Sequence, residues 1–168
     1  MLAKQKMSMI ALVACFLVPF IMAIIAKQAG WFNSAKTNQG TLLQPVLELD
    51  RSQWPAPLKQ SWLLIYASDK HCSHCQQAAY LMQQVKVALG REQARLTLLT
   101  NQNIPTQTEV VELKTFGRKL MQDYLYISDP LGFVMLKYPV PSDQKEVIST
   151  AKQVLSDLRR LLKLSKVG

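Results

Sequence analysis

Two cysteines separated by two residues lie at the junction of an apolar run and an amphipathic run, and this placement restricts the folds open to the chain. The motif is His71-Cys72-Ser73-His74-Cys75. The run before it, Trp62 to Ala67, is continuously apolar, which predicts a central strand covered on both faces. The run after it, Gln76 to Leu89, has apolar residues at helical spacing, which predicts a helix. The dithiol is therefore expected between a buried strand and a helix.

The sequence after this unit predicts further strands and helices. A strand is expected at Leu96–Thr100, and a helix from Thr106 to about Leu120, because Thr106 and Glu109 fit a capping box. Asp129-Pro130-Leu131-Gly132 predicts the turn of a β-hairpin. A closing amphipathic helix is indicated by the apolar positions Ile148, Ala151, Leu155, Leu158 and Leu162.

Strand, cysteine-bearing helix, strand, helix, hairpin and helix is the element order of the thioredoxin fold. A C-x-x-C motif beside such a unit is typical of the redox members of that fold. The sequence therefore predicts an α/β, thioredoxin-like three-layer sandwich over residues 60–168. Residues 27–59, rich in Gly, Pro and polar residues, are predicted to be a connector, with a short strand at Val46–Leu49.

The N-terminal segment predicts a membrane helix. Residues 7–26 contain no charged side chain and, at about 1.5 Å per residue, can cross a hydrocarbon core about 30 Å thick. An uncleaved signal anchor is favoured over a cleaved signal peptide, because the run is long and no A-x-A pattern follows it. Lys4 and Lys6 predict that residues 1–6 are cytoplasmic. The remaining chain is then expected in the periplasm of a bacterium, attached to the inner membrane by a single span.

The formal net charge of +9 does not predict a nucleic-acid partner. Lys and Arg are dispersed, with no basic groove interleaved with aromatic residues. A basic domain beside anionic lipid headgroups gains electrostatic attraction, which accounts for the charge without nucleic acid.

The motif predicts thiol-disulfide chemistry. Cys72, near a helix N-terminus, is the candidate nucleophile, because backbone amides and the helix dipole stabilise its thiolate. Cys75 is the candidate resolving thiol, and His74 the group that stabilises the Cys72 thiolate. Such a site requires no cofactor. Tyr66, Tyr124, Tyr126 and Tyr138 are interpreted as packing residues.

A metal site and a structural disulfide are the alternatives. Thiolates select Cu(I), so Cys72 and Cys75 with His71 or His74 form a candidate copper site. A closed zinc site lacks further Cys or His ligands in the soluble part, and haem attachment requires a histidine where Gln76 stands. A disulfide without a redox role also fits an exported chain.

Several short segments carry a resemblance to a known family. They are Asn38-Gln39-Gly40 with Leu42 and Pro45, Trp62 to Tyr66, the cysteine pair, Asp129-Pro130-Leu131-Gly132, Tyr138-Pro139, and the ending Asp157-Leu158-Arg159-Arg160-Leu161-Leu162-Lys163-Leu164-Ser165. On these segments the chain resembles membrane-anchored thioredoxin-like proteins associated with bacterial cytochrome c oxidase assembly, akin to the Sco/SenC copper-delivery proteins. Sco proteins place three residues between their cysteines and add a distant histidine, whereas this chain has two intervening residues and no histidine outside the motif. Thioredoxins place a cis-proline before the strand facing the motif, where this chain has Met121-Gln122-Asp123.

The resemblance implies a function in the assembly of the oxidase copper centre. The expected partner is a cytochrome oxidase subunit or a copper-delivery protein. Thiol-disulfide exchange through Cys72 and Cys75 is the first hypothesis, with an oxidoreductase activity left open. A non-catalytic Cu(I) metallochaperone or assembly scaffold, with Cys72, Cys75 and His71 as candidate ligands, is the second.

Overall fold

The structure is a computed structural model that describes residues 2–30, 37–50, 54, 58, 60–68, 71–104, 109–113 and 120–165. These residues divide into two compact units, Met1–Thr37 and Asn38–Gly168.

The first unit consists of one long helix, α1 (Leu2–Gln28). Within the described residues, its segment Met9–Gln28 is the one stretch of helix long and apolar enough to cross a membrane. Pro19 lies inside α1 without ending it, as a membrane helix tolerates. The helix predicted for residues 7–26 is confirmed.

The second unit is a mixed α/β fold, as predicted. Its six-stranded sheet contains β1 (Thr41–Glu48), β2 (Trp62–Ala67), β3 (Leu96–Thr100), β4 (Val110–Glu112), β5 (Tyr124–Ser128) and β6 (Phe133–Pro139), in the order β1-β6-β5-β2-β3-β4. The β2–β3 and β3–β4 pairs are parallel, and the remaining pairs are antiparallel. The helices are α2 (Cys75–Ala88) and α3 (Gln144–Leu164), with a 3-10 helix at Gly90–Arg95.

Strand β2 has buried side chains on both of its faces, as its continuous apolar run predicted. Trp62, Leu64 and Tyr66 belong to the core shared with the two helices. Leu63, Ile65 and Ala67 belong to a second core on the other face of the sheet, with Leu49, Trp54, Leu58 and Leu120. Because successive side chains of a strand alternate between faces, one strand supplies both cores.

The predicted hairpin is confirmed as β5 and β6. The Asp129 carboxylate accepts hydrogen bonds from the backbone amides of Leu131 at 3.0 Å and Phe133 at 2.8 Å. Gly132 has a φ of 100°, a conformation that glycine adopts at little cost. The turn therefore forms because Asp129 accepts backbone hydrogen bonds and Gly132 adopts a positive φ.

The helix predicted from Thr106 to Leu120 is wrong at Val110–Glu112, which forms strand β4. Val110 pairs with Leu98 and Val111 with Leu99 in the parallel β3–β4 ladder. Two adjacent β-branched residues beside an open sheet edge favour a strand over a helix. Residues 105–108, which include most of the capping box, and 114–119 lie outside the described residues.

Strand β1 lies within residues 27–59, which the sequence predicted to be a connector. It pairs antiparallel with β6, from Thr41 opposite Lys137 to Glu48 opposite Phe133, and the Leu49 amide then donates to the Gly132 carbonyl at 3.0 Å. The strand predicted at Val46–Leu49 overlaps its end. Thr41–Glu48 thus form an edge strand of the sheet.

Helix α3 confirms the predicted closing helix, with its buried face displaced from the predicted one. The buried residues are Val147, Thr150, Val154, Asp157, Leu158 and Leu162. Leu158 and Leu162 were predicted correctly, whereas Ile148 is 43% exposed and its neighbour Val147 is buried. The prediction failed because apolar spacing alone does not distinguish adjacent apolar residues at the start of a helix.

Candidate redox site

Cys72 and Cys75 form a disulfide directly before and within the start of α2, with their Cα atoms 5.3 Å apart. Helix α2 begins at Cys75, one residue earlier than predicted, and His74 is its N-cap residue. The Cys75 amide donates to the Cys72 carbonyl at 3.3 Å, which closes the turn that carries the pair. The structure thus places both predicted thiols at one helix N-terminus.

Cys72 has a left-handed backbone conformation, with a φ of 45°. This region is unfavourable for residues with a Cβ atom, and such residues occur preferentially at functional sites. The turn therefore holds Cys72 in a conformation that the surrounding structure must enforce.

The two cysteines are half-buried and contact the core beneath α2. The His74 side chain makes no capping hydrogen bond. The first amides of a helix have no partners within it, and their partial positive charge favours a thiolate at this position. Partial burial and a helix N-terminus together provide the environment of a reactive cysteine.

His74 links the cysteine motif to two other segments of the chain. Its Nδ1 atom lies 3.5 Å from Asp123 Oδ1, and its Nε2 atom lies 2.8 Å from Ser142 Oγ. The Nδ1 atom is buried without a hydrogen bond. Asp123 Oδ1 therefore lies within ion-pair distance of Nδ1 without forming a hydrogen bond to it.

Asp123 precedes β5 and has a φ of 61°, again in the left-handed region. Its amide donates to the Ala67 carbonyl at 2.8 Å, and its carbonyl accepts from the Val140 amide at 3.0 Å. The buried Tyr66 hydroxyl donates to Asp123 Oδ1 at 3.1 Å. The end of β2 and the residue after β6 thus fix Asp123 opposite the cysteine motif.

Sequence reasoning named Cys72, Cys75 and His74 as site residues, which stays a prediction, and did not name Asp123 and Ser142, which contact His74. A signal existed for Asp123, because it stands where thioredoxins have their cis-proline. No sequence signal indicated Ser142, which reaches His74 because α3 begins beside α2. Tyr66 is buried as predicted, and it also contacts the site through Asp123.

The structure does not test the copper hypothesis. No cluster of three or more His, Cys, Asp or Glu side chains suited to a metal occurs among the residues it describes. His71 is exposed, and both ring nitrogens of His74 face protein atoms. Copper binding by Cys72, Cys75 and His71 remains a prediction from the sequence.

A surface groove of about 370 Å³ lies beside the motif. It is lined by Gln76, Gln77, Tyr80, Ser142, Gln144 and Val147. Three amide side chains and two hydroxyl groups provide donors and acceptors without a charged residue.

Comparison with known protein families agrees with the thioredoxin-like fold described above. A family model described as transmembrane-like, thioredoxin-like, C-terminal domain matches residues 62–165, which begin at β2 and end just after α3. The chain belongs to this family. Its thioredoxin-like domain contains the disulfide, His74, Asp123 and Ser142, while β1 lies outside the matched residues. No curated protein and no solved structure shows significant similarity to the chain.

Proposed function

We propose that this protein is a membrane-tethered thiol-disulfide exchange protein. The Cys72–Cys75 disulfide at the N-terminus of α2 is the observation that carries this proposal. It is supported by the thioredoxin-like domain and by a helix long and apolar enough to anchor that domain.

The proposed reaction transfers two electrons between the cysteine pair and a partner. In one direction, a partner thiolate attacks the Cys72 sulfur, and Cys75 leaves as a thiolate. A second partner thiol then attacks the partner sulfur of the mixed disulfide and releases Cys72. The partner is oxidised to a disulfide, and the Cys72–Cys75 pair is reduced. In the other direction, the Cys72 thiolate attacks a partner disulfide, and Cys75 resolves the product.

The location and the partner are finer parts of the proposal. Lys4 and Lys6 before the apolar span favour a periplasmic domain on a single inner-membrane anchor. The resemblance to oxidase-assembly proteins favours a copper-centre subunit or a copper-delivery protein as the partner. Reduction of a disulfide in such a partner would free its two cysteines to bind copper, since metal binding requires free thiolates.

The experiment uses the full chain in detergent micelles, with Cys15→Ser so that only the motif carries thiols. The chain is equilibrated with mixtures of reduced and oxidised glutathione, and the thiols are counted by alkylation and mass spectrometry. The proposal predicts a reversible two-electron transition and accelerated thiol exchange in an added disulfide-containing polypeptide. Cys72→Ser with Cys75→Ser is the control, and a disulfide that never equilibrates would contradict the proposal.

A further inference from the structure

We propose that the outer surface of helices α2 and α3 docks on anionic lipid headgroups of the membrane that anchors the chain. This docking face consists of exposed or half-exposed apolar side chains and exposed cations, which are Tyr80, Val87, Ile148 and Leu155, and Lys145, Lys152, Arg159 and Lys163. The inference rests on the membrane tether of the proposed function and adds which part of the domain meets the lipid.

Helices α2 and α3 lie side by side and run in the same direction. The Ser142 hydroxyl, just before α3, lies 2.8 Å from Nε2 of His74, the N-cap residue of α2. Near the other end of both helices, Arg159 Nη2 donates to the Ala88 carbonyl at 2.8 Å. The outer sides of the two helices therefore form one continuous surface.

Apolar side chains are exposed along this surface. Tyr80 and Val87 on α2 are 40% and 64% exposed, and Ile148 on α3 is also exposed. A groove of about 170 Å³ lies between the helices, and Tyr80, Ile148 and Leu155 contribute to its lining. Tyrosine is typical of the headgroup region of a bilayer, and aliphatic side chains on the same face enter the boundary of the acyl chains.

Four exposed cations follow α3 at spacings of seven, seven and four residues, which are Lys145, Lys152, Arg159 and Lys163. At about 100° per residue, these positions fall within about 40° of one another around the helix. None of the three lysines forms an ion pair with a residue that the structure describes.

Carboxylates do not offset this positive charge. Helix α2 contains no Asp or Glu. On α3, Asp157 is buried, and Glu146 lies about 100° around the helix from Lys145. The docking face therefore combines apolar and basic groups, as interfacial membrane-binding surfaces do.

Anionic lipid is the favoured occupant because the chain carries its own membrane helix. Helix α1 ends at Gln28 and β1 begins at Thr41, and the segment between them spans at most about 40 Å when fully extended. Such a tether gives the headgroups a high effective concentration at the docking face. Each cation close to an anionic surface strengthens the binding about fivefold. An acidic polypeptide would share the chemistry but lacks the tether.

Docking would also restrict the partners of the disulfide. Helix α2 begins at Cys75, so the Cys72–Cys75 pair lies at one end of the docking face. A domain held on the lipid by this face would present the pair close to the bilayer. The expected exchange partner is therefore a protein whose cysteines lie near the membrane surface.

The test uses the full chain in nanodiscs of phosphatidylcholine, with or without phosphatidylglycerol. In the Cys15→Ser background, with the native disulfide left oxidised, an environment-sensitive fluorophore is attached at Ile148→Cys or at Leu131→Cys, an exposed position on the β5–β6 turn. Phosphatidylglycerol should shift the emission from position 148 to shorter wavelength, and high salt should reverse the shift because it screens the charges. The emission from position 131 should not shift.

Charge variants carrying the label at position 148 locate the attraction. Lys152→Gln should lower the ratio of docked to undocked chains about fivefold. Lys137→Gln is the matched control, because it removes the same charge from a side chain over the Tyr124 ring, which packs against the core on the other face of the sheet. It should lower the ratio by less than about twofold, since a charge farther than a Debye length from the lipid is screened.

Equal shifts at positions 148 and 131, or equal losses from Lys152→Gln and Lys137→Gln, would overturn the assignment of the docking face. A shift at position 148 with added polyglutamate but not with phosphatidylglycerol would also overturn it, in favour of an acidic polypeptide. Glutathione exchange is measured on the same samples. A chain that docks without exchanging contradicts only the proposed exchange, whereas one that exchanges without docking contradicts only the docking face.

Discussion

The Tyr138 hydroxyl donates a hydrogen bond to the Asp157 carboxylate at 2.6 Å, and both residues are buried. The same Oδ2 atom accepts the backbone amides of Gln39 at 2.8 Å and Gly40 at 2.9 Å. One carboxylate thus joins the two residues before β1, strand β6 and helix α3. Three segments distant in sequence therefore meet at this atom.

Asp157→Ala should strongly destabilise the domain. The substitution removes the acceptor of three hydrogen bonds and leaves buried donors unpaired, at a cost of about 3 to 5 kcal/mol. Urea unfolding followed by tryptophan fluorescence measures the loss. Asp143→Ala, at an exposed carboxylate that makes no capping bond, is the control and should change stability by less than about 0.5 kcal/mol. Similar stabilities for the two variants would contradict the role given to Asp157.

Gly40→Ala should also destabilise the domain, because Tyr138 occupies the space of the missing side chain. A Cβ atom at Gly40 would lie 2.6 Å from Tyr138 Cε1 and 2.7 Å from its hydroxyl oxygen. Overpacking of this kind costs about 1 to 3 kcal/mol. Gly90→Ala is the comparison. Gly90 has a φ of 60°, and a Cβ atom added there would have no other heavy atom within 4 Å. The prediction fails if Tyr138→Leu does not reduce the cost of Gly40→Ala.

Adjacent residues of α3 should differ in their sensitivity to truncation. Val147 is 1% exposed and belongs to the core beneath the helix, whereas Ile148 is 43% exposed. Val147→Ala should cost about 2 kcal/mol, and Ile148→Ala less than about 1 kcal/mol despite the larger side chain. Denaturant midpoints of the two variants decide the matter. A larger loss of stability for Ile148→Ala than for Val147→Ala would contradict the burial seen in the structure and favour the helix face predicted from the sequence.

Alkaline conditions should destabilise the domain through its buried tyrosines. Burial raises the pKa of Tyr126 to about 12 from an ordinary value of 10.0. Burial and the bond to Asp157 also raise the pKa of Tyr138. Because both groups ionise more readily when unfolded, their contribution to stability is constant below about pH 10 and is lost as the pH rises toward 12.

The measurement for the tyrosines is phenolate absorbance alongside unfolding between pH 8 and 12. Tyr126 and Tyr138 should ionise together with unfolding. Tyr126→Phe should reduce the loss of stability at alkaline pH. Ionisation of Tyr126 and Tyr138 near pH 10 in the folded protein would contradict this account.

Much of the fold could be predicted because the relevant signals are local. The continuous apolar run of β2, the turn residues Asp129 and Gly132, and the periodicity of α3 each determine a structure within a few residues. Strand β4 was missed because its β-branched pair forms a strand by pairing with β3, and this pairing is not visible in the local apolar pattern. Asp157 gave no local signal, since its three donors come from two remote segments.

The residues of the candidate site also divide into those with a local sequence signal and those brought in by tertiary contacts. The cysteine pair and His74 were identified because motif and spacing lie within five residues. Asp123 and Ser142 were missed because they reach His74 through tertiary structure, from the loop before β5 and the start of α3.

Trapping of a mixed disulfide tests the central claim most directly. The full chain with Cys15→Ser and Cys75→Ser is incubated with a peptide that contains one disulfide, and the products are separated without reductant. We predict a covalent complex with the peptide attached at Cys72, because the resolving thiol is absent. The chain that keeps Cys75 should release the peptide, and the chain that also carries Cys72→Ser should form no complex. Absence of the complex at Cys72, or an equal yield when Cys72 is replaced, would contradict thiol-disulfide exchange at this site.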